Sequence, residues 1–244
     1  RYQSLSRGLG DVYKRQGHIL GTHPEINGYF EMHISYDDAA ALDRQLDVLR
    51  QHETRKQGSR YLFDKLLHND YRLDPSRLDP DSTRLFVCLR RPEQTIRSIV
   101  DLFEKKGTAE PYASPAAAAG YYIDRLETLA GFCSSSRLPY CYYDAELFQA
   151  APEMLLARLT DWLALGSPLS QRYQRFSQTG KARKGDSSSA IYSGTIDQDR
   201  VDYSHIPVPD DVLHRAREVY RRCREGIIAG SADAIIMPGG TPSR

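Results

Sequence analysis

Residues 84–102 read R-L-F-V-C-L-R-R-P-E-Q-T-I-R-S-I-V-D-L. Residues 85–89 are an apolar run of strand formers, short enough for a buried parallel strand. Arg90 and Arg91 end it. Pro92 then stands where a helix places its first residue, because the N–H that proline lacks would have no intrahelical partner there. Ile96, Ile99, Val100 and Phe103 recur at helical spacing. The stretch therefore predicts strand, sharp turn, helix. In an open α/β sheet, ligands bind beyond the carboxyl ends of the strands, and a helix start offers free N–H groups and the positive end of a dipole. Two arginines at that turn point to an anion. Ser98 follows Pro92 by six positions, about 9 Å along a helix. An arginine from the strand end and a hydroxyl from the helix can hold one phosphate between them.

The chain has 244 residues, 40% of them hydrophobic and 27% charged, which suits one α/β domain with a sizeable core. Its net charge of +1 sets up no strong field for nucleic acid or a membrane surface. Any basic site must be local, and no nucleic-acid partner is expected. Four cysteines, Cys88, Cys133, Cys141 and Cys223, form no C-x-x-C pair. Cys88 and Cys141 lie in apolar strand-like runs and read as small core residues. That usage points to a reduced, cytoplasmic protein. No apolar run approaches the length of a membrane span, no signal peptide is legible, and no ligand cluster with zinc spacing is visible, so no metal is expected.

The segment containing Arg90, Pro92 and Ser98 resembles the R-x-P-x5-S signature of sulfotransferases that use 3′-phosphoadenosine 5′-phosphosulfate (PAPS). In that family the strand-end arginine and the helix serine bind the 3′-phosphate of the co-substrate. Further segments carry the resemblance. Residues 20–33, L-G-T-H-P-E-I-N-G-Y-F-E-M-H, resemble the turn and strand that follow the family's phosphosulfate loop. The resemblance implies that Glu31, at that strand's end, is the general base on the acceptor hydroxyl; His33 is the rival, since histidine is the commonest base. Residues 64–69, D-K-L-L-H-N, resemble the strand-end lysine motif, which implies that Lys65 balances charge on the leaving group. Residues 142–147, Y-Y-D-A-E-L, resemble the family's Y-E-D-L strand end. In residues 177–196, glycines and cations suit a phosphate clamp, and Arg183, Lys184 and Gly185 resemble the R-K-G loop over the 3′-phosphate. The usual continuation of that loop, G-x-x-G-D-W, is not reproduced.

Alternating elements give the fold class. Strands are expected near Tyr29, Tyr61, Leu85 and Tyr140, with helices between them, which makes a doubly wound, mainly parallel sheet with helices on both faces; the resemblance implies that this is the P-loop-like sulfotransferase fold. A helix from Asp37 or Asp38 to Gln51 would bury Leu42, Leu46 and Leu49. Helices are also expected over residues 117–134, 152–165 (stopped by Gly166) and 209–227. His18 and His23 read as turn or helix-surface residues, and residues 52–60 as a solvated charged loop. Residues 1–16 have no amphipathic period, and D-V-Y-K-R-Q resembles translated sequencing-adaptor sequence, so they are expected to be non-native and to stand where the phosphosulfate loop belongs. No G-x-x-x-x-G-K-[ST] occurs. Residues 17–229 would be the sulfotransferase-like domain, and 230–244 a flexible tail.

The resemblance spans most of residues 20–196 and implies sulfuryl transfer from PAPS to a hydroxyl or amine of a small-molecule, carbohydrate, lipid or peptide acceptor. A chain without the phosphosulfate loop would be weak or inactive. A P-loop-type kinase and a non-catalytic nucleotide-binding protein remain the alternatives. The sequence leaves the oligomeric state open.

Overall fold

The computed structural model describes residues 2–7, 12–105, 111–179, 192–196 and 202–238, with 2–7, 12–14 and 111 by backbone alone. The anticipated strand, turn and helix are present as β4 (Thr83–Leu89) and α3 (Pro92–Glu104), with Arg91 as N-cap and Pro92 opening the helix. Along β4 the side chains alternate between two cores. Leu85, Val87 and Leu89 face one, and Phe86 and Cys88 the other. A strand with both faces buried reads as continuous apolar sequence.

The other strands are β1 (Tyr2–Arg7), β2 (Ile26–Asn27), β3 (Tyr61–Leu66), β5 (Tyr140–Asp144) and β6 (Asp233–Ile235). They form one sheet in the order β2-β3-β1-β4-β5-β6, and every pair is parallel. On one face lie α2 (Ala41–His52), α3, α4 (Pro115–Ser135) and α7 (Asp210–Gly230); on the other lie α1 (Val12–Thr22), α5 (Leu147–Ala150) and α6 (Pro152–Trp162). The doubly wound parallel architecture is the one the alternating pattern predicts. All four cysteines are buried and free. No helix among the described residues is long and apolar enough to cross a membrane.

Several local expectations are corrected. Residues 2–7, in the segment that shows no amphipathic period, occupy the middle of the sheet between β3 and β4. Residues 233–235, read as part of a frayed tail, pair with β5. In α2 the buried positions are Ala41, Gln45 and Leu49, whereas Leu42 is 44% exposed; the buried stripe is one residue out of phase with the leucines. α6 ends at Trp162, ahead of Gly166, and it is Ala164 that takes the left-handed conformation, with φ 48°. His18 and His23 are buried, not surface residues. His18 bonds Thr179 Oγ1 through Nε2 at 2.8 Å, and His23 Nε2 lies 2.9 Å from Ser167 Oγ. The charged loop after α2 is not wholly solvated either. Lys56 Nζ reaches back to donate to the carbonyls of His23 and Ile26 at 2.9 and 2.8 Å, and to that of Gly21. A cation placed there collects carbonyls at the end of α1 and along the turn into β2.

Candidate active site

The chain lays down β1, then β2 and β3 on one side of it, and then crosses to β4 on the other. That makes β1 the switch point, beyond whose carboxyl end an open α/β sheet binds its ligand. Arg7 at the end of β1 lies opposite Leu66 and Val87. Lys65 therefore sits near the carboxyl end of one neighbouring strand, and Arg90 just past the end of the other. Two inter-strand spacings, roughly 10 Å across the sheet, separate those strands. The turn from β1 to α1, residues 8–11, where a phosphosulfate loop would stand, lies outside the described residues. So do Arg183, Lys184 and Gly185. The chain ahead of them is tied to this edge of the sheet: Gln178 N donates to Tyr29 Oη at 2.8 Å, and Phe176 stacks on Tyr29 with centroids 4.2 Å apart.

The turn that carries Arg90 is held from two directions. Tyr122 Oη, on α4, donates to the Arg90 carbonyl at 2.7 Å, and Arg91 N donates to Glu146 Oε1 at 2.9 Å. Arg90 Nη1 is buried without a hydrogen-bond partner among the described residues. A desolvated guanidinium N–H normally finds an acceptor; the charge of Arg90 acts on the nearby Glu146 carboxylate, whose Oε2 is likewise buried without a partner among the described residues. Ser98 projects from the second turn of α3, where its hydroxyl donates to Tyr203 Oη at a long 3.4 Å.

Lys65 is only 1% exposed. Its stem runs past α1 at Gly17, where an added Cβ would lie 3.3 Å from Lys65 Cε and 2.2 Å from the Tyr29 carbonyl oxygen. Gly17 and Gly21 lie on one face of α1, and a Cβ at Gly21 would stand 2.6 Å from Tyr29 Cβ and 2.8 Å from the Gly28 carbonyl oxygen. Without side chains at these two positions, α1 can seat directly on the segment leading to Glu31.

Glu31 was expected at the end of a strand. The strand stops at Asn27, and Glu31 lies four residues further on, beyond Gly28, whose φ is +86°. The carboxylate is 2% exposed. His68 Nε2 lies 3.8 Å from Glu31 Oε1, and His68 Nδ1 lies 3.0 Å from Tyr121 Oη. Burial pushes the Tyr121 phenol up to about 12, so it stays protonated across the ordinary pH range and can donate. With the phenol donating to Nδ1, a neutral His68 would carry its proton on Nε2, the nitrogen facing Glu31. His33, the rival base, instead has φ 57° and sets its ring against Tyr71, 5.3 Å between centroids.

Two residues not singled out from the sequence complete the arrangement. His68 is one; it lies within the D-K-x-L-x-N stretch, three positions after the lysine. Arg125 is the other. It is 2% exposed and donates to Asn69 Oδ1 at 2.6 Å and to the Leu66 carbonyl at 2.5 Å, which fixes the turn carrying His68. Its sequence signal was a charge on the apolar stripe of α4, between Tyr122 and Leu129. A cleft of about 560 Å³ opens beside that turn, running from Asn69 and Tyr71 along α4 to Phe132 and Ser135. No group of three or more potential metal ligands occurs among the described residues.

No family model matches the chain, and no curated protein does. Solved structures do. The sulfotransferase domain from the curacin biosynthetic pathway superposes with a TM-score of 0.56 at 14% identity, covering 89% of this chain and 97% of that one. The sulfotransferase domain from the Synechococcus PCC 7002 olefin synthase gives 0.53 at 13% identity, covering 89% and 94%. At such identities the likeness is one of fold, and the fold is that of sulfotransferase domains.

Proposed function

We propose that this chain is a PAPS-dependent sulfotransferase. The observation that carries the reading is the buried Nη1 of Arg90, without a hydrogen-bond partner among the described residues, at the carboxyl end of β4, across β1 from a buried lysine. A co-substrate with two separate anionic groups fits that pair of cations. Arg90 and Ser98 would hold its 3′-phosphate, with Arg183, Lys184 and Gly185 closing over it. The reaction would form an O–S or N–S bond to the acceptor and break the S–O bond to the 5′-phosphate, releasing adenosine 3′,5′-bisphosphate. Glu31 would take the acceptor proton, with His68 orienting the carboxylate from the solvent side. Lys65 would offset the negative charge that grows on the leaving phosphate oxygen. As in phosphoryl transfer, positioning and charge stabilisation do most of the work. The acceptor would approach past His68, from the side of the cleft along α4.

The test is ligand-dependent melting. Adenosine 3′,5′-bisphosphate at ~100-fold over its dissociation constant adds about 2.7 kcal/mol, a rise of roughly 5–10 °C for a domain this size. AMP and ATP-magnesium should do far less. Arg90→Ala should weaken bisphosphate binding about 10- to 100-fold, the equivalent of one charged hydrogen-bonding group, while Glu31→Gln should lower turnover and leave that affinity in place. An Arg90→Ala variant with wild-type affinity would remove the phosphate assignment. A shift with ATP-magnesium alone would favour a kinase.

A further inference from the structure

Glu31 and Lys65 are carried by neighbouring chain segments that the sheet does not hold together. β2 pairs with β3 only through Ile26–Tyr61 and Asn27–Leu62. At Gly28 the chain leaves the ladder; a side chain there would have to tolerate φ +86° and a Cβ 2.3 Å from the Phe63 carbonyl oxygen. Residues 29–32 then run between two left-handed positions, Gly28 and His33. What joins them back to β3 is a side chain. Asp64, 0% exposed, accepts from Met32 N at 2.9 Å and from its neighbour Lys65 N at 2.7 Å, both through Oδ1. Its other oxygen accepts from Tyr36 Oη at 2.8 Å. Tyr36 is itself fixed by backbone bonds, Tyr36 N to the Arg72 carbonyl at 2.7 Å and Asp74 N to the Tyr36 carbonyl at 2.9 Å.

We propose that Asp64 is a positioning residue: one buried carboxylate sets the separation of Glu31 and Lys65 by holding the peptide N–H that follows each of them or belongs to it. This role rests on the sulfotransferase reading above. Nothing in an ordinary parallel ladder requires an acid at this position, since ladder bonds would serve a regular strand equally well. The acid is needed because the segment bearing Glu31 has left the ladder, and its buried N–H still requires an acceptor. The third bond matters too: with Oδ2 held by Tyr36, the carboxylate plane cannot rotate, and the two amides it holds keep their spacing. Arg90 and Ser98 lie on the other side of β1 and share none of these bonds, so the clamp can loosen without disturbing them.

The test uses the full chain and two variants, Asp64→Ala and Asp64→Asn, with three measurements. The first is hydrogen exchange at the Met32 amide, the second the affinity for adenosine 3′,5′-bisphosphate, and the third bisphosphate release from PAPS over a panel of hydroxyl and amine acceptors. For Asp64→Ala, Met32 exchange should speed by about tenfold, the loss of one buried hydrogen bond. Turnover should fall by up to about 100-fold, as expected when reacting groups drift by an ångström, with KM for PAPS and bisphosphate affinity held within about threefold. Asparagine keeps an oxygen for the two amides, so Asp64→Asn should recover most of the Met32 protection and most of the turnover. Unchanged Met32 exchange in Asp64→Ala overturns the proposal, as does unchanged turnover. Affinity and turnover falling in step also overturn it, because that marks general damage; should the alanine variant not fold, an Asp64→Asn protein that keeps Met32 protection but loses turnover, or the reverse, overturns it, because the proposal ties the two together. A wild-type chain that binds no bisphosphate overturns the sulfotransferase reading itself, on a measurement that involves neither variant.

Discussion

Replacing Gly17 by alanine should destabilise the protein even though alanine is the better helix former. Gly17 lies in the interior of α1, where Gly→Ala on an open surface gains about 1 kcal/mol. Here the new Cβ would stand 2.2 Å from the Tyr29 carbonyl oxygen and 3.2 Å from its carbon, well inside the ~3.5 Å at which carbon atoms pack. The obstacle is backbone held by its neighbours, so either α1 or the 28–29 turn must move. Overpacking of this kind costs typically 1–3 kcal/mol, and a backbone obstacle belongs at the upper end, about 3. The net loss is then about 2 kcal/mol, or a fall of roughly 4–8 °C in melting temperature at the 2–4 °C per kcal/mol expected for this size. The control is Gly226→Ala in α7, where an added Cβ meets nothing within 4 Å and the melting temperature should rise by roughly 2–4 °C. Scanning calorimetry of wild type and both variants gives the comparison. A Gly17→Ala protein at least as stable as wild type, beside a stabilised Gly226→Ala, would refute the close approach of α1 to the segment carrying Glu31.

Three further outcomes are expected. Arg224 makes a two-point ion pair with Asp144, Nε to Oδ1 at 2.8 Å and Nη2 to Oδ2 at 2.7 Å, and the two side chains are only 13% and 4% exposed; Arg224→Ala strands a buried carboxylate and should cost about 3–5 kcal/mol by urea denaturation, and a loss under 1 would remove the pair from the fold's main supports. Lys56→Ala should cost about 1.5–3 kcal/mol in the same assay, because it leaves the carbonyls at the end of α1 without their charged donor; a neutral result would mean that water replaces the ammonium fully. Burial pushes the Asp64 carboxyl up to about 7, with Glu31 adding to the rise while the Met32, Tyr36 and Lys65 bonds oppose it. A carboxyl raised in the folded state stays protonated there while the unfolded chain has already ionised. Its contribution to stability is therefore present in full below about pH 4 and is lost as the pH rises towards 7, by at most ~1.4 kcal/mol per pH unit. The stability difference between wild type and Asp64→Asn should thus shift against wild type from pH 4 to 7 and level off above; a difference independent of pH would contradict the burial of this carboxylate.

Much of the architecture was legible because burial on two faces leaves a strong mark on sequence. A strand enclosed between helix layers must be apolar along its whole length, as residues 85–89 are, and proline can start α3 only where its missing N–H is not needed. The same local logic identified Arg90 and Ser98 as strand-end and helix residues, and Lys65 at a strand end. It failed at residues 2–7, Y-Q-S-L-S-R, which carry too few apolar side chains to announce a central strand yet lie between β3 and β4. It failed at α2, where three leucines suggested a stripe and the buried face fell on Ala41, Gln45 and Leu49 instead. Periodicity reports that a helix is amphipathic; the phase is decided by what packs against it.

The site divides along the same line. That Lys65 and Arg90 stand at or just past the carboxyl ends of strands is legible in local sequence; that Glu31 does not is decided by the turn at Gly28, which takes the chain out of the ladder. That Lys65 and Arg90 flank one strand is a matter of strand order, which no local pattern encodes. His68 beside Glu31, Arg125 beneath the turn that carries His68, and Asp64 bridging two segments that share no ladder are contacts between residues far apart in the chain. Side-chain hydrogen bonds and close approaches depend on angles and distances that exist only after the helices have packed on the sheet. Sequence by itself therefore determined the kinds of element and the chemical groups at their ends. Tertiary packing alone decided which of those groups meet, since burial is what gives a buried carboxylate or guanidinium its need for a partner and long-range contact is what supplies one.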